Sequence, residues 1–295
     1  MTASARPLPI LSSLARRPAV AVPVAVAVLA FVVLFLKPAQ LLVQDWWSNP
    51  EAGHGLLLAP LALWLAWRRG LRSDRVARVG WGAAILVAAV LLRYVSGLAA
   101  EVFTMRVSMV MALAGLVVFA WGWRQLLAWW LPFTLIFLSI PWPALVTNAL
   151  ALPLQFQASK MGAALLRSRD IPVLLSGNVI NLPGHRLFVT EACSGLRSLT
   201  ALLALGVLVG GLWLRTPVAR ILVLLLAIPV AIVINAVRVF FTGFLVFFVD
   251  PKLGDGFMHL TEGWLLFIVA FGILGLLAWL ARGIERRFEK VAADA

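Results

Sequence analysis

Residues 217–248 read PVARILVLLLAIPVAIVINAVRVFFTGFLVFF, an apolar run whose charged side chains are Arg220 and Arg238. About 20 helical residues cross the hydrocarbon core of a bilayer, so this stretch is longer than one straight span needs. It is predicted to tilt, to break near Pro229, or to emerge from the membrane before Pro251. No other solvent accepts so much apolar side chain in one segment.

The rest of the chain repeats the pattern. Of its 295 residues, 63% are hydrophobic and 13% are charged, and the mean hydropathy is +1.00. A soluble domain sits nearer half apolar. Hydropathy predicts eight spans, at about 19–36, 52–67, 79–97, 102–121, 125–140, 193–213, 217–248 and 257–281. The expectation is an all-α polytopic membrane protein, forming one integral membrane domain over 1–295. The run after Arg16 and Arg17 has no small-residue cleavage site behind it, so it is read as a retained helix.

The net charge is +13. Its distribution argues for topology rather than for nucleic acid. Arg68, Arg69, Arg72, Arg75 and Arg78 lie between spans two and three, Arg124 follows span four, and Arg215 and Arg220 separate spans six and seven. Arg282, Arg286, Arg287 and Lys290 follow span eight. Alternating spans put all of these on one side, which the positive-inside rule makes cytoplasmic, with both termini. Arg93 and Arg106 fall near outer ends, where snorkelling to the surface is the expected behaviour.

One sizeable part, 141–192, lies between spans on the outer side. Ala144–Ser168 reads as an amphipathic helix, or two broken at Pro153. Asn148, Gln155 and Ser159 share one face, and Leu145, Leu152 and Phe156 another; such a helix is expected on the membrane surface. The following IPVLLSGNVINLPGHRLFVTEA, 171–192, carries turn signals at Ser176–Asn178 and at Pro183–Gly184 between β-rich stretches. A small hairpin is predicted, leading directly to Cys193.

Cys193 is the chain's single cysteine, which excludes an intramolecular disulfide and a zinc site of several thiolates. It lies in TEACSGLRSL, 190–199, at the outer start of a span. Orphan N–H groups and the helix dipole there favour a thiolate, and Arg197, one turn on, would lower the thiol pKa further. In isolation such a cysteine is more often a small hydrophobe. In NAVRVF, 235–240, Arg238 costs at least about 2.5 kcal/mol to insert, with Asn235 three residues before it on the same face. Its guanidinium has five donors and a permanent charge, suited to an oxyanion or carboxylate. In FMHLTEGWLLF, 257–267, His259 and Glu262 share a face, so the carboxylate can orient the imidazole. Each motif alone has a structural explanation. Together, a thiol, a cation and an imidazole on three spans, all towards the outer side, are the parts of a cysteine acyl-transfer site.

EACSGLRSL (191–199), then NAVRV (235–239), then a histidine opening the last span, resembles the exosortase/archaeosortase family. GHGLLLAPLALWLAWRR (53–69) is similar to the histidine-glycine motif of that family's early span. The resemblance implies a membrane cysteine peptidase-transpeptidase of the bacterial inner membrane. It would remove C-terminal sorting tails from exported, membrane-anchored proteins: a Pro-Glu-Pro-type motif, a helix and a basic tail. It implies Cys193 as nucleophile, Arg238 as cationic stabiliser and His259 as acid/base. Arg197, Asn235, Glu262 and His54 would be supporting residues. His185, in the outer loop, matches no motif. No metal or organic cofactor is implied. Two competitors are a transporter whose Arg, Asn and His line a polar path, and an exopolysaccharide assembly factor; the first gives Cys193 no task, and the second has few outer-side carboxylates to work with.

Overall fold

The computed structural model describes the backbone of residues 18–49, 52–189, 196–250 and 257–294, and side chains within these for 26–49, 52–189, 199–250 and 265–289. In chain order the helices are α1 (Pro18–Ser48), α2 (Gly55–Arg69), α3 (Val79–Leu98), α4 (Val102–Trp121), α5 (Trp123–Ala128), α6 (Trp130–Leu138) and α7 (Ala144–Arg167). Three strands follow, β1 (Leu174–Ser176), β2 (Val179–Leu182) and β3 (His185–Phe188), and then α8 (Leu196–Trp213), α9 (Pro217–Phe248) and α10 (Phe257–Asp294).

Five helical stretches are long and apolar enough to cross a membrane: Val26–Ser48, Val79–Leu98, Val102–Trp121, Pro217–Phe248 and Leu265–Glu289. This is a multi-pass, all-α membrane protein with a small sheet. The other three predicted spans take shorter forms. α2 has 15 residues, and the fifth span divides at Trp129 into α5 of 6 and α6 of 9 residues. The sixth is α8, with an apolar stretch Leu199–Trp213. α1 runs on to Ser48, well past its predicted end.

Neither proline breaks its helix. α9 is continuous through Pro229 and α7 through Pro153. A proline removes one donor to the carbonyl a turn earlier, but the flanking turns of α9 are held by packing. Ala227 and Ala231 are both buried, in one cluster with Leu199 and Leu202 of α8 and Ala270 and Leu274 of α10. Thr216 caps the start of α9, its Oγ1 accepting from the Ala219 N–H at 3.3 Å, with Pro217 in the first turn.

The packing passes from one helix group to the next. Phe35 of α1, Ala89 of α3 and Ala112 of α4 form one cluster. α2, α6 and α8 meet at Leu58, Ala62, Leu131, Leu135 and Ala204. Gly82 lets the α4 backbone at Phe119 approach so closely that a Cβ would collide with it, the small-residue contact by which helices associate in lipid.

The arginine-rich loops converge at one end of the bundle, as alternating spans require. Arg69 Nη1 donates to Ala128 O at 2.8 Å, and the Arg72 N–H to Gln125 Oε1 at 2.9 Å. Arg72 and Arg124 both pair with Asp74, at 2.7 and 3.0 Å, and hydrogen bonding from Arg72 holds the Asp74 carboxyl well below the usual carboxylate range. Glu285 of α10 accepts from the Thr216 N–H at 2.8 Å and Thr216 Oγ1 at 2.6 Å. That clasp joins the end of α10 to the α8–α9 turn.

At the opposite end, two arginines depart from the snorkelling expected of them. Arg106 is buried, with Nη2 2.7 Å from Asp45 Oδ2 of α1. Arg93 reaches the α1 main chain, Nε to Leu34 O at 3.3 Å. The Asp45 carboxylate gives the buried Arg106 guanidinium a charged hydrogen-bonding partner on the neighbouring helix. Nearby, Glu101 caps α4, accepting from the Phe103 and Thr104 N–H groups at 3.1 and 2.6 Å.

The predicted hairpin is a three-stranded antiparallel meander, ordered β1-β2-β3. Leu174 pairs with Asn181, and Val179 with Phe188. Its two turns fall at the predicted signals, with Gly177 at φ 63° and Gly184 at φ 78°, where other residues are strained. α7 is one helix with the two faces the sequence sets out, apart from Asn148. Gln155 and Ser159 are buried, whereas Leu145, Leu152 and Phe156 are exposed. Asn148 is exposed too, one turn before α7 reaches its buried contacts.

Candidate functional site

The polar stretch of α9 is the centre of the region. Asn235 is buried, Arg238 is half-buried with Nε inaccessible, and Thr242 Oγ1 donates to Arg238 O at 3.0 Å. Neither Asn235 nor Arg238 is without a partner. Beside them, Ala236 and Val239 lie against α7.

α7 comes very close there. A Cβ on Gly162 would lie 2.5 Å from Val239 Cγ1 and 3.6 Å from Ala236 O. One turn later, Gly243 of α9 gives the same room to Leu166 of α7. The inward polar groups of α7 extend the region. Ser159 Oγ donates to Gln155 O at 2.8 Å, and Gln155 Oε1 accepts from Asn178 Nδ2 at 3.3 Å.

Asn178 is the residue that sequence reading missed. It was legible only as part of a Ser-Gly-Asn turn, yet its amide ties three elements together. Its Nδ2 also donates to Val189 O at 3.1 Å, and the Val189 N–H donates to Asn178 O at 3.0 Å. Val189 is thereby fixed at the point where the chain leaves the sheet for the cysteine motif.

Cys193 lies outside the described residues, and so do the side chains of Arg197, His259 and Glu262. The residues flanking the cysteine segment are described. Val189, before it, is buried in one cluster with Val239 of α9 and Ala158 of α7. Leu199, after it, is buried in one cluster with Ile234 of α9. Ile234 and Val239 are the α9 residues next to Asn235 and Arg238. α10 runs antiparallel to α9, from the Glu285–Thr216 clasp through the shared cluster at Ala270, Leu274, Ala227 and Ala231. Its first two turns carry His259 and Glu262.

His54 stands apart, immediately before α2. Its Nε2 lies 3.2 Å from Leu138 O at the end of α6. A carbonyl only accepts, so this contact requires the Nε2–H tautomer. Beside it, Trp46 Nε1 donates to Ser139 O at 2.7 Å. The early motif thus fastens α1 and α2 to the end of α6. His185 is exposed at the start of β3.

The family model for transmembrane exosortases matches residues 46–276. The chain belongs to that family. Neither the curated proteins nor the solved structures contain a match to it. The exosortase match opens at Trp46, one residue after the Asp45–Arg106 pair begins, and closes within α10. It includes His54, Cys193, Asn235, Arg238, His259 and Glu262. Exosortase membership makes this a multi-pass membrane protein of the kind that processes sorted proteins.

Proposed function

We propose that the chain is a cysteine peptidase-transpeptidase that removes C-terminal sorting tails from exported proteins. Its basic end faces the cytoplasm with both termini, and its site opens on the outer side of the bacterial inner membrane. The Cys193 thiolate attacks a substrate peptide carbonyl, forming a C–S bond and a tetrahedral oxyanion. Arg238 stabilises that oxyanion. His259, oriented by Glu262, gives its proton to the leaving amine as the C–N bond breaks. The thioester then passes its acyl group to an acceptor amine or to water, which restores the thiol. Arg197 favours the thiolate, Asn235 supports Arg238, and His54 braces the neighbouring helices.

The supporting observation is the bracketing of the cysteine segment. Val189 and Leu199, which flank residues 190–198, belong to the clusters that also hold Val239 and Ile234, the α9 neighbours of Arg238 and Asn235, and this supports reading the thiol and the cation as one site. Helical rise adds to this. Counting from the Glu285–Thr216 clasp, His259 lies about 39 Å along α10 and Arg238 about 33 Å along α9. Positions 259 and 238 of two antiparallel helices that share a cluster midway therefore fall at similar levels along the bundle.

The test is co-expression with an exported protein bearing a Pro-Glu-Pro-type motif, a helix and a basic tail, followed by mass spectrometry of its C-terminus. Wild-type chain should yield a C-terminus truncated at the motif, free or carrying an acceptor. Cys193→Ala, at normal abundance, should leave the tail intact. Equal processing by the alanine variant would remove the thiol from the mechanism.

A further inference from the structure

At the basic end, a groove of about 360 Å³ opens on the side of the bundle between α6, α8 and α9. Trp130, Thr134, Val207, Pro217, Ile221 and Leu224 line it with almost wholly apolar surface, and Arg220 stands among them. The Arg220 guanidinium lies 5.0 Å from the Trp130 ring centroid, so the aromatic face holds the cation at the wall of the groove.

Arg220 is not neutralised. Its Nε and Nη2 both donate to Leu214 O, at 3.0 and 2.9 Å. Arg69, last residue of α2 and exposed, likewise donates to a main-chain carbonyl, Ala128 O. Carbonyls accept hydrogen bonds but cancel no charge. Among the described residues, neither arginine has a carboxylate within ion-pair distance, whereas Arg72, Arg124, Arg215 and Arg282 at the same end do. Arg69 is held at Ala128, two residues before the Trp130 that carries Arg220, so the two cations are fixed to the same short stretch of chain. Two mutually repelling cations beside an apolar groove call for an anion with a hydrocarbon part.

We propose that this groove binds an anionic phospholipid of the leaflet at the basic end, its phosphate between Arg220 and Arg69 and an acyl chain along Trp130, Val207, Ile221 and Leu224. Cationic pockets between helices recognise anionic headgroups in this way. A free phosphate would satisfy the arginines and leave the groove idle; the open apolar wall argues for the lipid. The site occupies the end of the bundle remote from Arg238, so it would anchor the α6–α8–α9 contact and take no part in peptide chemistry.

The experiment uses the full chain in mild detergent, incubated with equal amounts of phosphatidylglycerol and phosphatidylcholine of matched acyl chains, then examined by native mass spectrometry. Wild type should retain phosphatidylglycerol over phosphatidylcholine by about tenfold or more, as two cations near a phosphate warrant. Arg69→Gln/Arg220→Gln should lose that preference. Ile221→Trp, at an exposed position that keeps both arginines, should fill the groove and lower phosphatidylglycerol retention; it decides the matter if the double variant does not fold. Equal retention of the two lipids by wild type would overturn the proposal, and so would unchanged phosphatidylglycerol retention in Ile221→Trp. Displacement of the lipid by soluble glycerol phosphate at equal concentration would also overturn it, by showing a site for the phosphate alone. None of these readouts depends on tail processing.

Discussion

Gly162 of α7 and Val239 of α9 meet where no side chain larger than hydrogen fits: a Cβ at 162 would stand 2.5 Å from Val239 Cγ1. Val239 is the neighbour of Arg238, so this contact sets how α7 and the sheet lie against the candidate site. Gly162→Val should overpack the interface and cost about 1–3 kcal/mol. Thermal unfolding in detergent should show the loss, and Val239→Ala in the same chain should recover part of it. If Val239→Ala adds to the damage, the two residues do not oppose each other as described.

The Asp45–Arg106 pair should be needed for stability. The guanidinium is 4% exposed and the carboxylate 37%. Asp45→Asn leaves a buried cation without its counter-charge, which costs about 3–5 kcal/mol in a fully buried pair and less here because Asp45 meets solvent. Arg106→Leu with Asp45→Asn should be milder than Asp45→Asn alone. A silent Asp45→Asn would return Arg106 to the snorkelling role its sequence position suggests.

Glu101 gives the end of the bundle opposite the basic loops an acid-sensitive cap. Burial pushes its carboxyl up, but hydrogen bonds from the Thr104 side chain and the Thr104 and Phe103 N–H groups outweigh that and hold it below its ordinary value. A carboxyl depressed on folding contributes its full stabilisation above the unfolded value, about 4.3. That contribution is lost as pH falls through the folded value. Glu101→Ala should cost about 1 kcal/mol at neutral pH, the worth of a cap, and the gap from wild type should narrow in melting curves taken towards pH 3. A gap that widens on acidification would contradict the depressed carboxyl.

The long apolar helices were legible because hydropathy reads burial in lipid directly: α4 and α9 begin and end where the sequence predicts, and α3 does so within one residue. Turn chemistry was equally plain at Gly177 and Gly184. What the sequence withheld depends on partners far along the chain. Nothing local tells that Arg106 will find Asp45, 61 residues away, or that packing carries α7 and α9 through their prolines. At the candidate site, Asn235 and Arg238 were conspicuous as polar groups in an apolar run. Asn178 was not, since an asparagine in a turn looks the same whether or not its amide clamps Val189.

Arg238 separates mechanism from packing most sharply. Arg238→Lys keeps the positive charge and gives up the planar fork of donors. If the guanidinium holds an oxyanion through directed hydrogen bonds, tail processing should fall about 10²-fold or more, as on removal of an oxyanion donor elsewhere. A cation that merely balances its surroundings would be replaced by lysine almost freely, because both side chains carry the charge on a flexible stem. Misinsertion of α9 would mimic catalytic loss, so abundance and melting temperature must be read alongside processing. Arg238→Gln adds the complementary case: it retains an amide donor and loses the charge. Both variants at normal abundance with blocked processing would fit a guanidinium acting on the reacting carbonyl. Near-normal processing by the lysine variant would end the directed-oxyanion role and leave Arg238 as an electrostatic support for the thiolate.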